Sequence, residues 1–274
     1  KAKRTLVRCP QRLSRPIIHS SVTRIGEDAL SGCAGLMEIV IPEGVTNVGD
    51  RAFSECTALA DVKISGSVES VGDNAFNSCT NMTNLVISSG VKNIGRSAFY
   101  GCGNLSSVEI PISVTNVGDS AFGRCISLTS MTIPFVGASR DAGWQSSMLG
   151  WFFGTEMQDG TYSAFQADSK YYSIPTNLTS VVLTDQTSVP LGAFMHCRSL
   201  SSVVLPDGLL SIGHKAFLGC DGLLDMAIPH GVTYIYDEAF CNCDNLGFIA
   251  IPDAVKSIGT SAFSDCRGLT NVMF

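Results

Sequence analysis

Apolar residues recur along this chain at two nested intervals. The short one reads apolar, x, x, apolar, x, apolar: Leu36/Ile39/Ile41, Leu59/Val62/Ile64, Met82/Leu85/Ile87, Leu105/Val108/Ile110 and Leu128/Met131/Ile133. It resumes as Leu178/Val181/Leu183, Leu200/Val203/Leu205, Leu223/Met226/Ile228, Leu246/Ile249/Ile251 and Leu269/Val272/Phe274. A period of two over the last four positions predicts a short strand with alternate side chains inward. Proline follows at Pro42, Pro111, Pro134, Pro206, Pro229 and Pro252, where a residue without an N–H ends ladder pairing at little cost.

The long interval is 23 residues. Ala-Phe, once Ala-Leu, stands at 29/30, 52/53, 75/76, 98/99, 121/122, 193/194, 216/217, 239/240 and 262/263, with one jump of 72. A cysteine follows three residues after each pair and the next strand's Leu or Met three later. Between strand and Ala-Phe runs Val-x-x-Ile/Val-Gly-x-x, which predicts a tight turn into a short helical or 3₁₀ turn. Each unit is one coil of a solenoid, stable only where neighbours stack and their strands pair in parallel. The expected class is α/β: a parallel sheet on the concave face and short helical or 3₁₀ turns on the convex face. Counting Leu13 to Ile18 as the first strand gives eleven strands, roughly 50 Å of array at about 4.8 Å each. Pro190 and Tyr236 replace the recurrent glycine. Because proline cannot take positive φ, the coil at Pro190 is expected to turn differently.

These repeats, Ile-Pro-x-x-Val-x-x-Ile-Gly-x-x-Ala-Phe-x-x-Cys-x-x-Leu, resemble the BspA-like branch of leucine-rich repeats over nearly the whole chain. The resemblance implies a surface or secreted protein of anaerobic bacteria or parasitic protists, in a family where some members are implicated in adhesion to host matrix proteins or to other cells. Thr5-Leu6-Val7-Arg8-Cys9-Pro10 looks like that family's segment preceding an Ile-Pro repeat. Residues 1–274 are accordingly read as a single solenoid, with 1–16 a linking or partial repeat and 135–177 an insertion. With no initiator methionine and no signal peptide, the chain reads as a fragment of a longer surface protein.

Composition agrees with repetition. Only 15% of residues are charged and 45% are hydrophobic, with 27 Gly and 11 Cys, because each coil spends seven or eight positions on inward anchors and fills its turns with small polar residues. No run approaches the roughly 20 apolar residues of a membrane span. The first sixteen residues hold six basic groups and no acid, leaving twelve basic against 24 acidic residues elsewhere. A basic arm can address nucleic acid, but the family segment accounts for it and no nucleic-acid partner is expected.

The nine cysteines of the repeat column suit small buried hydrophobes, since they lack the paired spacing of a zinc site. Cys9 and Cys241 lie outside the column and are the candidates for exposed or reactive thiols. His19, His196, His214 and His230 stand singly and read as solvated turn residues. No nucleophile elbow, zinc-protease helix or phosphate-binding loop is present, so no catalytic residue, metal or cofactor is assigned.

Two features suggest binding instead. Residues 135–177 hold nine of the 22 aromatics, including Trp144 and Tyr171. The favoured reading is a small core of the insertion's own; the functional one is an aromatic loop that docks a sugar or a protein hot spot. The outward strand column Val182, Val204, Ala227, Ala250, Met273 is apolar, with Leu224 and Phe248 beside it, and an apolar patch on a concave sheet suits a partner. The expectation is a monomeric, non-enzymatic adhesin-like module that takes a host or microbial surface protein or glycan through Phe248, Leu224, Val204, Val182, Trp144 and Tyr171. Two rivals are a spacer without a ligand and, less favoured, a carbohydrate-active enzyme using a pair among Asp141, Glu156, Asp159 and Asp168 at about 5 to 9.5 Å separation.

Overall fold

The computed structural model describes residues 4–6 and 14–273. Cys9, Leu13 and most of the 1–16 segment lie outside the described residues. The chain divides into two compact units, Lys1–Leu128 with Phe152–Gly154, and Thr129–Trp151 with Thr155–Phe274.

In the first unit, the strands Glu38–Ile41, Asp61–Ile64 and Asn84–Ile87 pair in parallel and in register, Ile39 against Val62 and Val62 against Leu85. Their burial alternates, with Val62 and Ile64 sealed and Asp61 and Lys63 exposed, as the period of two requires. Each proline bend is tight: Val114 N–H donates to the Pro111 carbonyl at 3.0 Å. A second parallel ladder runs through Arg4–Leu6, Val22–Ile25, Asn47–Val48, Ser70–Val71, Asn93–Ile94 and Asn116–Val117. These elements are too short to display a period, and the sequence predicts only turn there. Conversely, Ser14 to Ile18, expected within the first strand, is not a strand; there, the Ser14 carbonyl accepts the Met37 N–H at 2.8 Å.

The third side of each coil is neither helical nor 3₁₀, and among the described residues there is no α-helix at all. The reason is visible in the hydrogen bonds. Around Phe53, alternate N–H groups turn inward to their own coil and outward to the next: Ala52 to Gly49, Phe53 to Ala75, Ser54 to Arg51, Glu55 to Asn77 and Cys56 to Phe53. A helix would keep all of them within the segment. The alternation is set by two left-handed residues per coil, four apart, such as Arg51 (φ 53) and Glu55 (φ 61) or Asn74 (φ 56) and Ser78 (φ 59), and a left-handed residue ends a right-handed helix. The α/β expectation is therefore replaced by a parallel β-solenoid with hydrogen-bonded turns.

Those left-handed positions also correct the role of the recurrent glycine, which lies outside the positive-φ set. Glycine is there for space: a Cβ on Gly49 would lie 2.7 Å from the Glu27 nitrogen of the preceding coil. Pro190 consequently does not redirect its coil. Ala193 N–H bonds the Pro190 carbonyl at 3.3 Å, as Ala52 bonds Gly49, and the adjoining Ser188–Val189 pairs with Ser211–Ile212 in ordinary register.

Inside the first unit Phe53, Phe76, Phe99 and Phe122 stack nearly parallel at 4.9, 5.3 and 5.4 Å. The inter-coil bond that Phe99 makes to Ala121 is made by Phe122 to the carbonyl of Phe152, at 2.8 Å.

The second unit repeats this plan. Ser130–Ile133, Ser180–Leu183 and Ser202–Val204 form one parallel set, Asp225–Ala227, Phe248–Ala250 and Asn271–Met273 another. Short strands at 188–189, 211–212, 234–235 and 257–258 make the second ladder, and Phe194, Phe217, Phe240 and Phe263 stack at 5.0 to 5.3 Å. The 135–177 segment contributes an antiparallel hairpin, Thr161–Phe165 with Tyr171–Pro175, and a 3₁₀ turn, Leu149–Phe152. Leu149 N–H donates to the Ala193 carbonyl at 2.8 Å, the bond a preceding coil's Phe would make.

Candidate functional site

Four of the residues expected to bind, Val182, Val204, Leu224 and Phe248, lie on or beside the strands of the second unit. Register sets Val182 directly against Val204 and Ala227 against Ala250, which faces Met273. Leu224 and Phe248 are drawn together because Gly247 N–H donates to the Leu224 carbonyl at 2.9 Å, one residue before Phe248. Val204 is 50% exposed, Leu224 57% and Phe248 37%, while Val182 is half-buried. Their side chains face solvent because the alternating partners Val181, Val203, Met226 and Ile249 fill the core.

Trp144 and Tyr171 are not part of this face. Tyr171 belongs to the separate two-stranded hairpin, where it packs against its cross-strand partner Phe165 at 5.1 Å, and Trp144 sits in the loop before the 3₁₀ turn. Both are exposed, but Phe135, Phe152, Phe153 and Tyr172 are buried, so four of the nine aromatics are packing. Arg140 lies over the Phe135 ring at 5.3 Å and pairs with Asp185, which ties the insertion's first loop to the coil that follows it.

The residue that organises the insertion is one that sequence reading missed. Gln166 is completely buried among apolar groups; its side-chain oxygen accepts the Gly150 N–H at 2.9 Å and its NH₂ donates to the Met195 carbonyl at 3.0 Å. The available signal was Gly192. It is the one glycine in the left-handed column that elsewhere holds Asp28, Arg51, Asn74, Ser97, Ser120, Lys215, Glu238 and Ser261. A Cβ there would meet the Ala167 methyl at 2.6 Å, because the hairpin tip rests on that coil.

The cysteine column is free of disulfides and buried at every position but Cys266. Seven of its thiols donate to a carbonyl of the preceding coil, as Cys79 to Phe53 at 3.3 Å and Cys220 to Phe194 at 3.0 Å. Burial pushes the Cys125 thiol up to about 12 and Cys102 and Cys197 upward likewise. Cys241, expected to be exposed and reactive, is buried at 8% exposure, and burial, followed by the Asp265 and Glu238 charges, raises its pKa. The half-buried Cys266 differs from the rest of the column, its pKa lowered through its neighbour Cys243 against the opposing effect of burial. The carboxylates considered for glycosidic chemistry do not stand alike: Asp168 is tied to Tyr172 Oη at 2.8 Å and to Lys170 Nζ at 3.2 Å, whereas Asp141, Glu156 and Asp159 lie on exposed loops.

Parallel ladders at 23-residue spacing, with Leu, Phe and Cys columns inside, define a leucine-rich-repeat β-solenoid. The family model for the BspA type leucine rich repeat region matches residues 7–134 and 166–274 in six copies, and the chain belongs to that family. Among solved structures it is similar to a leucine-rich repeat protein from Bacteroides ovatus (24% identity, 92% of this chain and 82% of that one, TM-score 0.39). It is also similar to the T. pallidum leucine-rich repeat protein (21%, 80% and 82%, TM-score 0.49) and to a leucine rich cell surface protein from Faecalibacterium prausnitzii (24%, 93% and 77%, TM-score 0.35). Comparison with curated proteins finds no match. Among the described residues no helix is long and apolar enough to cross a membrane.

Proposed function

We propose that the chain is a non-enzymatic interaction module, displayed at a cell surface or secreted, that takes a protein or glycan partner through the strand face of its second unit and its insertion. The observation that carries this reading is the exposure of Val204, Leu224 and Phe248 on the outward strand face, where the column holding Phe248 otherwise reads Ser130, Ser180, Ser202, Asp225 and Asn271. Apolar side chains presented on a rigid, register-locked surface contribute affinity through area and shape. A spacer needs no such cluster and no exposed Trp144 or Tyr171, so their exposure favours the binding role. Placement at the surface rests on family membership, and labelling of intact source cells with antibody checks it.

The test is a binding screen of the intact chain against extracellular-matrix proteins and glycans, repeated with Phe248→Ser and Trp144→Ala. Phe248→Ser should weaken partner binding by about tenfold or more, as truncating a central apolar anchor does. Undiminished binding by both variants overturns the assignment of these residues.

A further inference from the structure

On the turn side of the second unit, a cleft of about 570 Å³ opens beneath the insertion hairpin. Phe165 and Ala167 of the hairpin tip form one wall, and Leu191 and Met195 form the floor. The opposite wall comes from the next two coils, as His214 with Lys215 and Asp237 with Glu238. The hairpin wall is rigid, being pinned through Gln166 to Met195 and seated on Gly192, so the cleft is preformed and little ordering opposes occupation.

Its chemistry is specific. The flanks are aromatic: Tyr171 packs on Phe165, Tyr236 on His214 at 4.9 Å, and Tyr234 lies 6.1 Å from Tyr236, with all three tyrosines exposed. The charges are internally matched. His214 Nδ1 lies 3.5 Å from Asp237 and Lys215 Nζ 3.5 Å from Glu238, so the one lysine of the lining is already paired and an acidic ligand would meet two carboxylates. An apolar wall and floor facing acceptors and donors suit a molecule with one C–H face and many hydroxyls.

We propose that this cleft binds a neutral oligosaccharide, a pyranose ring lying on Phe165, Leu191 and Met195 with its hydroxyls directed to Glu238, Asp237 and Lys215. The proposal rests on the reading of the insertion as a binding element and is independent of the strand face. Carbon-bound hydrogens against aromatic and aliphatic side chains supply area, and charge-assisted hydrogen bonds to hydroxyls supply orientation.

The experiment is calorimetric titration of the intact chain with neutral hexasaccharides of glucan, mannan, xylan and galactan type, alongside sialylated and sulfated oligosaccharides. At least one neutral ligand should bind, weakened roughly tenfold or more in Lys215→Ala and in Glu238→Ala, which each remove one polar partner, and unchanged in Phe248→Ser. Binding of none, binding of only the acidic sugars, or binding that survives both cleft variants overturns the proposal. A chain that binds no saccharide yet loses a protein partner on Phe248→Ser overturns the cleft and leaves the strand face standing. Saccharide binding at the cleft without any partner sensitive to Phe248→Ser does the reverse.

Discussion

At the scale of single residues, the repeat is held by columns whose members do one thing each. Phenylalanine fills, cysteine fills and bonds a carbonyl, glycine makes room, and the residue before alanine adopts the left-handed conformation. The last role is filled almost entirely by residues that pay a steric penalty for it, Ser97 (φ 52) among them. Ser97→Gly should therefore raise the unfolding free energy by about 0.5 to 1 kcal/mol, read as a higher urea midpoint. Phe76 sits sealed between Phe53 and Phe99, and Phe76→Ala should cost about 3 to 5 kcal/mol on the same measurement. The burial of phenylalanine and of the cysteine column was legible from spacing alone. The glycine's purpose was not, because positive φ and lack of space leave the same residue in the sequence, and only the neighbouring coil separates them.

At the scale of elements, the long strands were legible because four alternating residues outlast chance, whereas the two-residue strands of the second ladder were not. The supposed helical turn failed for a different reason: half of its N–H groups are donated to the next coil, a non-local choice invisible in any one segment. The insertion hairpin shows the same limit. Its aromatic content was plain, but its attachment depends on Gln166, an unremarkable residue in the text of the chain. Gln166→Ala should leave the Gly150 N–H and the Met195 carbonyl without their buried partner and cost about 2 to 3 kcal/mol. Amide exchange should then accelerate in the hairpin, over 161–175, while the phenylalanine stack remains protected; uniform loss of protection would contradict this anchoring.

At the scale of the whole molecule, the buried thiols couple stability to alkaline pH. Folding raises their pKa values, Cys125 to about 12 from an ordinary 9.0, because burial disfavours the thiolate. Below about pH 8 both folded and unfolded thiols are protonated, so stability carries no dependence on them. As pH rises past 9 the unfolded chain ionises first, and stability is lost progressively up to the folded pKa, by up to about 1.4 kcal/mol per pH unit for each such thiol. Melting temperatures should fall steeply from pH 9 to 11; substituting Cys102 and Cys125 together by alanine should flatten that fall, and an unchanged slope would contradict it.

Sequence alone determined the 23-residue coil, which strand residues point inward, the membership of the Leu, Phe and Cys columns, and the apolar character of the outward patch at Val204 and Phe248. These follow from short-range periodicity, which needs no knowledge of neighbours. Tertiary structure alone decided that the turns are not helices, that glycine is spacing rather than bending, that Cys241 is buried and that the hairpin rests on Gly192 to roof a cleft. Each of those depends on a group one or more coils away in the chain, and such groups meet only after the coils have stacked.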